Sequence, residues 1–419
     1  MAENKLWSRS FSRLWACEGV SVLSAQMLIF ALPIVAVSTF QATDAQIGLI
    51  NTFVGLGLLT FLIVGASLTD LRRQDKLLGA LSLARAMICG FAAFAAATDA
   101  LALWHLLIIG FAISGMTALY DSAFSAVVPQ VVHTHYLGKA NSWIAALRSA
   151  ADIGAGSLAG ILLSYTGSAT LFCLLMVFYA IASIGPFSLR PIFKRKPKLH
   201  SSNHHVFSQI MGAREGIRFL LSDPIQRPIT LAIAHFNLFT SAIQALYVVF
   251  ALRYANLSAA EIGVAASIGG VVGLCGVFIS DWSIKKIRPV VLLSVTLALP
   301  VLSGAGILIL PLLDQFASML VLSASLGLWA CAVLVNVAAS ETLKQQLVPE
   351  AILGRVSAAI RLLTWGVDPI GAGLATLAVL YLPIHSVLMI SIIGIGASVS
   401  WLLTSSQLRR LSPTPTSNR

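Results

Sequence analysis

The sequence predicts an all-α polytopic membrane protein with twelve transmembrane helices, arranged as two pseudo-symmetric six-helix bundles. Three observations predict it. Twelve apolar stretches fill the chain from Leu14 to Thr404, each long enough to cross a bilayer. The composition, 58% hydrophobic and 10% charged, fits no soluble domain of this size. The polar gaps alternate in charge, and one long gap divides six stretches from six.

The stretches run 14–37, 47–68, 77–97, 101–126, 140–164, 168–189, 228–251, 261–280, 289–311, 316–339, 356–380 and 384–404. Each is helical because hydrocarbon offers no partner for backbone N–H and C=O groups, which a helix of about 20 residues satisfies internally.

Orientation follows from Lys and Arg, which are retained on the cytoplasmic side. With the N-terminus inside, 23 of the 27 fall in cytoplasmic segments. Lys5, Arg9 and Arg13 precede segment 1, and Arg72, Arg73 and Lys76 follow segment 2. Eight lie between Arg190 and Arg227, and the rest follow segments 4, 8, 10 and 12. Arg253 alone lies outside, and Arg85, Arg148 and Arg361 lie within segments. Shifting the count by one segment destroys this asymmetry. Both termini are therefore expected in the cytoplasm.

The net charge of +11 then reflects topology and contact with anionic lipid. Basic residues scattered over many inner segments make no nucleic-acid footprint. The first segment is too long and too polar at its start for a cleaved signal peptide. All five cysteines fall inside apolar segments, with no CxxC or metal spacing, so neither a metal nor a cofactor is expected. No phosphate loop, HExxH or Gly-x-Ser-x-Gly occurs, so the chain reads as a non-enzyme without ATP drive.

The domain reading is 1–189 as the first bundle, 190–227 as a cytoplasmic linker, 228–404 as the second bundle and 405–419 as a tail. The linker begins basic and Pro-containing, and its second part, VFSQIMGAREGIRFLL, has the pattern of an amphipathic helix on the inner membrane surface. The bundles repeat in sequence. Gly65 and Asp70 recur as Gly276 and Asp281, with basic residues after each. Leu137, Lys139 and Asp152 recur as Leu353, Arg355 and Asp368, and IGAG closely follows each aspartate. Parallel six-helix repeats joined by an inner loop describe a transporter whose site lies where the repeats meet.

These features resemble the major facilitator superfamily, nearest the branch of macrolide-efflux and enterobactin-exporter-like proteins. The likeness covers nearly the whole chain, through Phe11–Trp15, Ala31–Val37, Leu83–Arg85, Pro129–Gly160, Glu215–Pro224, Asn237–Phe239 and Leu353–Ala372. Departures are visible too. Ala66 stands where the loop after segment 2 has Gly in that family, while Asp70 keeps its acid. Segment 1 reads Ser24-Ala25-Gln26 in place of the branch's mid-helix carboxylate. Segment 5 keeps small residues from Ala155 to Gly160 without the antiporter motif's proline. The resemblance implies the major facilitator fold, with segments 1, 4, 7 and 10 lining the cavity.

Charges at membrane depth are costly and face a partner or a cavity. Four carboxylates qualify as proton-coupling candidates, Glu18, Asp121, Asp152 and Asp368, with Arg85, Arg148 and Arg361 as charge partners. Arg148 and Asp152 are spaced i, i+4, so they share a helix face and are expected to pair. If they do not, Asp152 is free to exchange protons. Arg85 is expected to neutralise Asp121 or Glu18. Arg361 and Asp368 share a face but lie too far apart to touch. Four acids against three bases leave one carboxylate over, and such a group can exchange a proton near neutral pH.

Gln26, His235, Asn237 and Asn336 are polar substrate-cavity candidates, with satisfied packing the blander reading for His235. Asp70, Arg73, Asp281 and Arg355 are gating candidates on the cytoplasmic side. Gly269, Gly270, Gly273 and Gly276, with Gly154, Gly156 and Gly160, are expected to allow close helix approach.

The leading reading is a monomeric secondary transporter of the bacterial inner membrane, with lipids, protons and a small-molecule substrate as partners. It exports an amphipathic antibiotic, siderophore or peptide natural product by proton antiport and alternating access. The alternatives are a lysophospholipid flippase, marked by a lateral opening to lipid, and a non-transporting receptor or assembly factor that has kept the fold.

Overall fold

A computed structural model describes residues 7–68, 74–133, 136–188 and 216–412. Regular structure among the described residues is helical throughout, with no strand. The first five helices are α1 (Arg9–Phe40), α2 (Asp44–Leu68), α3 (Gln74–Ala97), α4 (Leu103–Val131) and α5 (Leu137–Ser188). Five follow as α6 (Gln226–Arg253), α7 (Ala259–Gly273), α8 (Cys275–Lys286), α9 (Pro289–Leu308) and α10 (Gln315–Leu347). The remainder are α11 (Glu350–Trp365), α12 (Asp368–Ala378), α13 (Ile384–Ala397), α14 (Ser400–Leu403) and α15 (Ser406–Arg410).

Among the described residues, ten helices are long and apolar enough to cross a membrane, counting α7 with α8 and α13 with α14. Every one of the twelve sequence segments has a helical counterpart, and two physical causes reduce the count. Segments 5 and 6 are joined without a loop in α5, interrupted only at Gly167 (φ 80°, ψ 180°). A straight helix of 52 residues would run about 78 Å, far beyond the bilayer. The chain reverses instead. Trp15 Nε1 donates to Trp143 O (3.1 Å) and Cys17 Sγ to Ile181 O (3.8 Å), so both arms of α5 meet the same turn of α1. Glycine is required at 167, because a Cβ is disfavoured at that positive φ.

Segment 11 is broken. It appears as α11 and α12, separated at Gly366 and Val367. Pro369 carries no N–H for the carbonyl one turn back, and its ring disfavours helical backbone just before it. Asn237 Nδ2 donates to Thr364 O (2.8 Å) beside the break. Segment 8 passes from α7 to α8 through Leu274, whose backbone stays in the helical region (φ −60°, ψ −23°).

Contacts divide the chain into two compact units. The first holds Met1–Ala42, Phe53–Val206 and Ala259–Gly263. Its core joins Phe11 and Leu14 of α1, Leu78 and Leu81 of α3, Leu119 to Val128 of α4, and Ala140 and Ile144 of α5. In the same unit Ser157 Oγ donates to Gly263 O (3.1 Å), and a Cβ on Gly160 would strike the backbone of Ala259.

The second unit holds Thr43–Thr52, Phe207–Ser258 and Val264–Arg419. Gly269, Gly273 and Gly276 lie against Leu326, Ala330 and Cys331 of α10, the close approach that small residues permit. Gly154 differs, with open space where its Cβ would stand. Of the expected surface helix, 206–221, only the part from 216 lies among the described residues. A helical stretch at 216–222 puts Leu220, 1% exposed, into a cluster with Val348, Val356 and Ala359, while Leu221 beside it is exposed.

Candidate functional site

In the first unit, α1, α4 and the first arm of α5 bring three charges together. Glu18 has no exposed surface. Arg148 Nε donates to Glu18 Oε1 at 2.9 Å and Nη2 donates to the same oxygen at 2.5 Å. Arg148 Nη2 also donates to Asp121 Oδ1 at 2.8 Å. One guanidinium thus serves two carboxylates, the fork geometry that arginine suits and lysine does not. The ring of Phe124 lies beneath it, 5.7 Å from Cζ.

The environments of the two carboxylates differ. The Asp121 side chain is 42% exposed and that of Arg148 34%, whereas Glu18 is sealed. Glu18 Oε2 is buried and meets no donor of good hydrogen-bond distance and angle among the described residues, although the Tyr120 hydroxyl lies near enough to interact with the carboxylate. A buried carboxylate oxygen without a donor is a place where a proton can sit.

This arrangement corrects two expectations. Arg148 and Asp152 form no ion pair, because Arg148 turns to the buried Glu18, which has most to lose without a cation. Asp152 instead accepts from Gln26 Nε2 of α1. Nor does Arg85 neutralise Glu18 or Asp121. It is fully buried, and Nη2 donates to Ser21 Oγ (3.1 Å) and Ser82 Oγ (3.2 Å), with Nη1 reaching Thr117 Oγ1 (3.4 Å). Its Cζ lies 4.5 Å from the Tyr120 ring centroid and 4.7 Å from that of Tyr179.

The second unit holds the remaining candidates. Asp368 opens α12 and makes no hydrogen bond or ion pair with another described residue. Arg361, on the exposed side of α11, lies 5.9 Å from the Trp365 ring and does not reach Asp368. His235 Nδ1 accepts from Trp401 Nε1 (3.2 Å), and Asn336 Nδ2 donates to Thr296 Oγ1 (2.8 Å) inside the core. With Asn237 on Thr364 O, each of these polar side chains has a protein partner. Asp281 pairs with Lys285 at 2.7 Å on an exposed face, and Arg355 is exposed on α11. Asp70 and Arg73 lie outside the described residues.

Sequence reasoning missed the tyrosine and hydroxyl cage of Arg85, and it missed the partners of Arg148. A signal for the second was available. Glu18 and Asp121 each lie about one turn from the inner end of their segments, and Arg148 lies two turns into segment 5, so the three share a depth. An apolar groove of about 350 Å³ opens elsewhere, on α3 and α4, lined by Met87, Phe91, Trp104 and Ile108. It carries no part of this chemistry.

Apolar helices around a buried charge cluster define a polytopic membrane transporter, and comparison with known proteins specifies the class. The profile described as Major Facilitator Superfamily matches residues 14–367, and the chain belongs to that family. An enterobactin exporter of Citrobacter koseri, EntS, is 26% identical over 417 residues, which cover 97% of this chain and 94% of the relative. Two solved structures show the same fold. A bacterial homologue of the iron transporter ferroportin, in an inward-facing state, has a TM-score of 0.71 at 17% identity, covering 95% of this chain and 99% of that one. A POT family transporter in complex with 5-aminolevulinic acid has a TM-score of 0.75 at 13% identity, covering 96% and 97%.

Proposed function

We propose that this protein is a proton-coupled exporter that works by alternating access. The single observation that carries the reading is Arg148 held between Glu18 and Asp121, with one carboxylate oxygen of Glu18 buried and unpaired. Charge placed at membrane depth at such cost marks a functional path. Protonating Asp121, the more exposed acid, loosens its hold on Arg148 and leaves Glu18 as the remaining partner. Releasing that proton restores the bridge, so the cluster alternates between two charge states. Asp152, on Gln26, and Asp368, without a hydrogen-bond or ion-pair partner among the described residues, are the secondary proton sites.

The substrate class is an amphipathic natural product, with a siderophore favoured by the likeness to an enterobactin exporter. Residues 1–189 and 228–404 act as the two six-helix repeats, joined by 190–227 and followed by the tail 405–419. The protein is a monomer in the bacterial inner membrane, with both termini cytoplasmic.

The test uses the purified protein in liposomes with enterobactin as the probe. Efflux should follow an imposed pH gradient and should not require ATP. Efflux indifferent to the gradient, in wild type and in Asp121→Asn alike, would reject proton coupling.

A further inference from the structure

We infer that Arg85 is the fixed charge that sets the pH at which the Glu18–Arg148–Asp121 cluster exchanges its proton. This rests on the proposed coupling role of that cluster and adds a residue to it. Arg85 touches neither carboxylate, so it is a positioning residue that acts through its field.

The placement comes from its partners. Ser21 is one turn beyond Glu18 on α1, and Thr117 is one turn before Asp121 on α4. Arg85 donates to both hydroxyls, so its guanidinium lies about one helical turn from each acid. Tyr120, whose ring it faces, is the residue next to Asp121.

The manner of its burial matters more. A buried cation is ordinarily neutralised by a carboxylate, and its field then cancels at a distance. Arg85 has no carboxylate within ion-pair distance among the described residues. Two tyrosine faces and three hydroxyls solvate it, and its Nε is buried without an acceptor. Aromatic faces and hydroxyls stabilise the charge but add no opposite charge. Its field therefore reaches the neighbouring acids in a setting of low dielectric.

The other charged and titratable groups facing this region are Cys17 and Glu18 of α1, Cys89 of α3, and Tyr120 and Asp121 of α4. From α5 come Arg148 and Asp152 on the first arm and Tyr179 on the second. Within this set, Arg85 and Arg148 face three carboxylates, Glu18, Asp121 and Asp152, so the region carries one net negative charge when all three are ionised. A guanidinium keeps its proton at any pH of transport. An incoming proton neutralises the region, and the fixed charge of Arg85 lowers the pull of the acids on that proton. Without Arg85 the acids would hold their proton to higher pH.

The experiment is a pH titration of the protonated-carboxyl infrared band of the liposome-reconstituted protein, without substrate. Bands lost in Glu18→Gln and in Asp121→Asn identify the cluster. Arg85→Gln should move their midpoint upward by about one to two pH units, the size of a unit charge one to two turns away at an effective dielectric near 20. Arg85→Lys, which keeps the charge and folds if the cage tolerates an amine, should restore most of the wild-type midpoint. A wild-type midpoint in Arg85→Gln, with the bands still assigned to the cluster, overturns the inference and leaves the coupling reading intact. No titrating band lost in either acid variant overturns both. A merely structural Arg85 would lower the yield of folded protein without moving the midpoint.

Discussion

Arg148 gives two N–H groups, from Nε and Nη2, to a single oxygen of Glu18, a carboxylate with no exposed surface. The relationship is lopsided. Arg148 keeps Asp121 and partial solvent contact if Glu18 is lost, but Glu18 has no other cation within ion-pair distance among the described residues.

Stability should be lopsided in the same way. Arg148→Ala strands a buried charge and should cost about 3–5 kcal/mol. Glu18→Gln should cost clearly less, and the double variant should recover part of the loss. Denaturation of purified protein in detergent measures all three. Equal costs for the two single variants would contradict the geometry.

Asp152 should be only weakly coupled to Arg148, despite the i, i+4 spacing, since its hydrogen bond goes to Gln26. Asp152→Asn still offers Gln26 an acceptor and strands no cation. A double-mutant cycle of Arg148→Ala with Asp152→Asn should give a coupling below about 0.5 kcal/mol. A coupling several times larger would mean that the pair forms after all.

This pair shows where the sequence was legible. Apolar length reveals which stretches can cross, because hydrocarbon imposes that demand on each segment alone. The spacing of Arg148 and Asp152 says only that they can meet. Which way Arg148 turns depends on the acids that α1 and α4 bring to the same depth, and that is tertiary information. The break before Asp368 was half legible, since Pro369 stands in the sequence, but its weight depends on the neighbour, Asn237, that bonds beside it. The reversal at Gly167 was legible as the gap between segments 140–164 and 168–189, although only Tyr165, Thr166 and Gly167 fill it.

The second unit holds an ion pair outside the spanning segments, Asp44 with Arg253 at 2.5 Å, and the Tyr254 hydroxyl donates to the same carboxylate at 3.3 Å. Desolvation and then the Asp44 charge push the Tyr254 phenol above its ordinary value. The sign follows. The neutral phenol is favoured in the folded state, so its contribution to stability is complete below the unfolded tyrosine value, near pH 10, and is lost as pH rises through the folded value. Difference absorbance against Tyr254→Phe should show this phenol titrating late in wild type and earlier in Asp44→Asn. An unchanged midpoint in Asp44→Asn would contradict the contact.

Topology is open to labelling. Single cysteines near Asp44, Asp99, Asn256 and Asp314 should react with impermeant reagent from outside, and those near Arg73, His204 and Lys286 only after permeabilisation. Outside labelling at His204 would overturn the twelve-segment topology.

The most direct measurement of the central claim is proton movement itself. Liposomes holding wild type and a pH-sensitive dye should show protons moving opposite to enterobactin when a substrate gradient is imposed. The Glu18→Gln/Asp121→Asn double variant, if inserted and folded, should lose that proton flux. A double variant whose substrate-driven proton flux equals that of wild type would contradict the account.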